Sequence, residues 1–66
     1  MRHREYVAKD LTAFKIICLL TSRSQLKFTV DEILESRKLG SSLRQLRDSG
    51  HIRISCKKEI ITVFRA

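Results

Sequence analysis

The sequence predicts a single α+β domain: three helices plus a small antiparallel sheet that ends in a C-terminal β-hairpin. Three observations carry this. Apolar residues recur at helical spacing in three segments before Gly50, and the period changes to two after it. Gly50 stands where a helix terminus calls for a left-handed residue. The chain has only 66 residues, enough for one domain (1–66) and too few for a doubly wound nucleotide-binding sheet or a barrel. A domain of this size buries only about 60% of its unfolded surface, so dimerisation would add stability.

The first helix is expected over residues 10–22. Ala13, Ile16, Ile17 and Leu20 fall at helical spacing, and Leu11 and Phe14 broaden the stripe. Asp10 or Thr12 can cap it. Residues 1–9 either form an N-terminal arm or, through 5–9, extend this helix, since Val7, Leu11, Phe14 and Cys18 continue one face. Arg23, Ser24 and Gln25 make a polar connector, and Leu26-Lys27-Phe28 alternates as a very short strand does. Thr29-Val30-Asp31-Glu32 is a capping-box signature, so a second helix starts at Val30 with Ile33 and Leu34 facing inward. A third helix is expected over 36–49, with Ser36 as N-cap and Leu39, Leu43 and Leu46 as its buried stripe. Gly40 either lies inside this helix or marks a turn before it. The continuous helix is preferred, because a helix running 30–39 would place Arg37 and Lys38 on its apolar stripe.

Beyond Gly50, Ile52, Ile54 and Cys56 alternate with Arg53, Ser55 and Lys57, as in a half-buried antiparallel strand. Residues 60–64 are β-branched and aromatic, a second strand. The connection, Lys57-Lys58-Glu59, lacks the Asn-Gly or Gly-X pair that tight hairpins favour, which leaves its register open. The expected core is Ile16, Ile17, Leu20, Ile33, Leu34, Leu43, Leu46, Ile52 and Ile54. Cys18 and Cys56 read as small buried hydrophobes. Neither has CxxC spacing, and His3 and His51 complete no metal set.

Charge gives the functional clue. Fourteen Lys and Arg against seven Asp and Glu leave +7. The excess is lopsided: residues 1–35 carry +1 and residues 36–66 carry +6. A field of that kind belongs to a face that meets a polyanion, nucleic acid before an anionic membrane.

The run Phe28-Thr29-Val30-Asp31-Glu32-Ile33-Leu34, followed by Leu43-Arg44-Gln45-Leu46-Arg47-Asp48-Ser49-Gly50-His51-Ile52, resembles the winged helix-turn-helix DNA-binding superfamily. There a T-x-x-E-L/I second helix precedes an L-x-x-L-x-x-x-G-x-I segment that closes the recognition helix and enters the wing. The likeness covers roughly residues 10–66, with a shorter gap between the motifs than the family usually has. It implies a winged-helix fold, a recognition helix in the major groove, and a hairpin wing on phosphate or the minor groove. No subfamily is assigned.

The residue chemistry agrees on its own terms. Opposite Leu39, Leu43 and Leu46 lie Arg37, Lys38, Ser41, Arg44, Gln45 and Asp48, with Arg47 at the margin. Arginine pairs bidentately with guanine and glutamine with adenine; Ser41 and Ser42 are short donors. Arg53, Lys57 and Lys58 supply charge with reach, which suits backbone contact. The candidate DNA-binding residues are therefore Arg37, Lys38, Ser41, Ser42, Arg44, Gln45, Arg47, Arg53, Lys57 and Lys58. The plain alternatives are a solvated helix face and a hairpin charged against edge aggregation.

The expected function is a small transcriptional regulator that binds double-stranded DNA, as a homodimer through helix 1 or the N-terminal segment if it pairs. A winged helix docking on an acidic protein partner, without DNA, is the alternative. No carboxylate pair, nucleophile with a base or glycine-rich loop suggests an enzyme, and no cofactor or metal is expected. The longest apolar run, residues 16–20, is far short of a membrane span, and the polar start is no signal peptide. Cytoplasm, nucleoid or nucleus is the expected compartment, following the nucleic acid.

Overall fold

A computed structural model describes residues 6–66. A 3-10 turn (Ala8–Asp10) leads into helix α1 (Ala13–Ser22), strand β1 (Gln25–Thr29), helices α2 (Val30–Leu34) and α3 (Arg37–Asp48), and strands β2 (Ile52–Lys57) and β3 (Ile60–Arg65). The result is a small α+β domain with three helices and an antiparallel sheet in the order β1-β3-β2. Among the described residues no helix is long and apolar enough to cross a membrane.

Local chemistry sets most boundaries. Thr12 caps α1 by accepting from the Lys15 N–H at 3.2 Å. The helix therefore starts at Ala13, not at residue 10. Leu11 and Thr12 are extended, so the segment before them is no continuation of the helix. The rest of the expected arm, residues 1–5, lies outside the described residues. The capping box forms in full: the Glu32 N–H donates to Thr29 Oγ1 at 3.1 Å, and the Thr29 N–H donates to Glu32 Oε1 at 2.9 Å.

Helix α3 is continuous through Gly40. Ser36 accepts from the Leu39 N–H at 3.1 Å and closes its first turn. At the other end Gly50 has φ +80°, its N–H donates to Arg47 O at 3.0 Å, and the His51 N–H donates to Leu46 O at 2.9 Å. Those two bonds make a Schellman cap, which satisfies two carbonyls the helix would otherwise strand.

The core contains Leu11, Ile16, Leu19, Leu20, Leu26, Phe28, Leu39, Leu43, Leu46, Ile52 and Val63, with Ile17, Ile33 and Ile54 packed at its edge. Four expectations are corrected. Leu34 is 77% exposed, because α2 ends after five residues and turns it outward. Phe14 is 79% exposed and Cys18 is exposed as well. At 100° per residue both lie roughly opposite Ile16, whereas Leu19 falls on the buried side. Cys56 is exposed too, at the end of β2 beside the hairpin turn.

Lys57 pairs with Ile60, so the hairpin closes through only two residues, Lys58 and Glu59, with φ of 50° and 64°. Positive φ at both positions is the signature of a type I′ turn, whose twist matches the strands it joins. The Val30 N–H donates to Glu59 O at 3.1 Å, fastening the turn to the start of α2. Strand β1 pairs with β3 from Gln25↔Phe64 to Thr29↔Ile60, so the hairpin is backed by a third strand along its length.

Candidate nucleic-acid interface

Helix α3 is held from beneath by two serine hydroxyls. Ser36 Oγ donates to Lys9 O at 2.8 Å, and Ser42 Oγ donates to Leu11 O at 3.2 Å. Both bonds reach the segment ahead of α1, and both serines are buried. With Leu39, Leu43 and Leu46 they fix the rotation of α3 about its axis. Ser42 therefore does not stand with the other candidate contact residues. Its position about 60° from Leu39 puts it on the buried flank, and its hydroxyl is engaged.

The opposite face is polar and open. Arg37, Lys38, Ser41, Arg44, Gln45 and Arg47 are all exposed. Their order along twelve residues, a length of about 18 Å, places cations at the start, middle and end of the helix. Its carboxylate, Asp48, pairs with Arg47 at 3.5 Å between side chains 56% and 65% exposed. An ion pair so exposed adds little stability, and either partner can exchange it for another contact. Just beyond, Ser49 Oγ and His51 Nδ1 share a hydrogen bond at 2.8 Å.

The hairpin divides its residues between two faces. Neighbouring side chains on a strand alternate, and paired residues point the same way. Ile52 and Val63 are buried, which defines the inner face; Ile54 and Cys56 on β2, and Ile61 on β3, share it. Arg53 and Lys57 therefore occupy the outer face. Through Arg53↔Phe64↔Gln25 and Ser55↔Thr62↔Lys27, Arg53 and Lys57 share that face with Lys27. Lys58 sits in the turn. Of the three hairpin cations, Arg53 and Lys57 thus lie on one side, the face turned from the core, Arg53 within the strand and Lys57 at its end, and Lys58 is in the turn.

Facing α3 instead is the apolar side of the hairpin. An open groove of ≈ 580 Å³ runs between α2, α3 and the sheet, with Ile33, Leu34, Ile54 and Ile61 on one side and Arg37, Arg44 and Arg47 along α3. No local pattern in the sequence marks this groove. Its walls come from α2, α3, β2 and β3, which the fold brings together through pairings with no local signal. Among the described residues no three of His, Cys, Asp and Glu gather around one point where a metal ion could sit.

Comparison of the chain with protein-family models, with curated proteins and with solved structures finds no match.

Proposed function

We propose that the chain is a DNA-binding module of winged-helix type, serving as a small transcriptional regulator. In this reading α3 enters the major groove and the hairpin tip flanks it. The observation that carries the reading is the exposed face of α3, where Arg37, Lys38, Ser41, Arg44 and Gln45 stand together with no acid before Asp48. A helix about 10–12 Å across matches a major groove about 12 Å wide. Bidentate arginine and glutamine are the side chains that tell guanine and adenine from other bases. The element order and the β1-β3-β2 sheet are compatible with a winged helix. The +6 charge of residues 36–66 favours association with a polyanion at any sequence.

The test is selection of a preferred duplex from random DNA, followed by affinity measured across a salt series. Arg44→Ala and Gln45→Ala should each reduce discrimination by about 1–3 kcal/mol while the melting temperature stays put. Arg53→Ser, on the outer face of the sheet, should leave the discrimination intact. Failure to select any site, combined with affinity indifferent to salt, would refute the reading.

A further inference from the structure

The groove between α2, α3 and the inner face of the hairpin has a composition that DNA binding does not call for. Its aliphatic wall includes Leu34, 77% exposed, with half-buried Ile54 and Ile61. Across from them Arg37, Arg44 and Arg47 follow one another along α3 at i, i+7 and i+10. Among the described residues Arg37 and Arg44 have no carboxylate partner, and the pair that Arg47 makes with Asp48 is an exposed one.

We propose that this groove binds an acidic segment of a partner protein that also carries aliphatic or aromatic side chains. The apolar groups cover Leu34, Ile54 and Ile61, and the carboxylates meet the arginines. Charge complementarity selects this occupant. A second copy of the chain, itself at +7, would bring like charge to the arginines. A duplex brings phosphate but offers little apolar surface beyond the thymine methyl, so it leaves the aliphatic wall wet. A groove of ≈ 580 Å³ lies within the range of sites that hold a drug-sized ligand, room for a few side chains of a docked segment. The inference does not depend on DNA binding. Where both hold, segment and duplex share Arg37 and Arg44 and exclude one another.

Panning a random peptide display library on the immobilised chain at physiological salt tests the proposal. The enriched peptides should combine Asp or Glu with Leu, Ile, Phe or Trp. Fluorescence anisotropy then compares each labelled peptide on the parent chain and on Leu34→Ser. The substitution should weaken binding about tenfold, the loss expected for one covered leucine. Because Leu34 is exposed and uncharged, the same substitution should leave the fold and the affinity for duplex DNA unchanged. A library that yields no enriched peptide, or peptides whose affinity ignores Leu34→Ser, overturns the proposal. Absence of salt-dependent duplex binding by parent and variant alike would instead remove the regulator reading and leave the groove standing.

Discussion

The hairpin turn stores strain that a two-residue exchange would release. Lys58 and Glu59 adopt φ of 50° and 64°. In that region the Cβ of an L-residue crowds the following carbonyl, at a cost of about 1–2 kcal/mol per residue. Asn-Gly is the pair that a type I′ turn favours. In Lys58→Asn/Glu59→Gly the glycine removes the strain at 59 but adds about 0.5–1 kcal/mol of freedom to the unfolded chain. Asparagine tolerates the left-handed region several-fold better than lysine and recovers roughly a few tenths of a kcal/mol. Both side chains are exposed, and the bond from the Val30 N–H to Glu59 O joins backbone to backbone, so it survives. Net charge stays at +7, since one cation and one carboxylate leave together. The balance is a gain of about 1 kcal/mol, which for a domain of this length raises the melting temperature by roughly 4–8 °C. Thermal melts followed by circular dichroism read it directly, and urea titrations with an unchanged m-value would show that only stability moved. A melting temperature that stays level or falls would refute the two-residue turn. A three-residue loop, for instance, needs one left-handed residue and gains nothing from Asn at 58.

Two further outcomes follow from α3. Gly40 lies inside the helix, and a Cβ built on it would meet Ile33 Cγ2 at 3.7 Å, an ordinary contact; Gly40→Ala should therefore stabilise by about 1 kcal/mol in the same melts. Leu39 is fully buried at 0% exposure, so Leu39→Ala should cost about 2–5 kcal/mol, and a variant melting within a few degrees of the parent would contradict the assigned core.

Features legible in the sequence were those decided within one or two turns of chain. The capping box at Thr29 and Glu32, the Ser36 cap and the left-handed Gly50 each depend on bonds spanning three to five residues. The start of α1 is legible only as a choice between two caps, Asp10 and Thr12; the bond from the Lys15 N–H that selects Thr12 is itself local. Phe14 and Cys18 were misplaced for a different reason. Helical stepping already sets them opposite Ile16, but a broad apolar run hid the phase. At the candidate interface the exposed stripe of α3 could be read by the same stepping. The same stepping sets Ser42 about 60° from Leu39, on the buried flank; only the partner of its hydroxyl, Leu11 O, depends on the fold. The groove, and the pairing that sets Lys27 beside the hairpin cations, depend on strand order and register, which alternation within a strand does not supply.

Strand register bears on what the basic second half of the chain can do. Arg37, Lys38 and Arg44 project from one exposed face of α3, whereas Arg53 shares the outer face of the sheet with Lys27. Under the DNA-binding proposal the contacts are those of α3 and of the hairpin tip, where Lys57 and Lys58 stand. Counterion release counts the phosphates a protein neutralises, so under the DNA-binding proposal the salt slope belongs to α3 and the tip. Arg53 and Lys27 then act through the field alone, which fades within about 8 Å at physiological salt. The fastening of the turn to α2 has a related effect. With the Val30 N–H bound to Glu59 O and β1 paired along β3, the tip is held in register with the helices and cannot swing as a free hairpin would. The backbone that carries its lysines is placed in advance relative to α3, which under the DNA-binding proposal lowers the ordering entropy of binding. The same pairing keeps Ile54 and Ile61 facing α3, so the aliphatic wall of the groove is present in the chain alone.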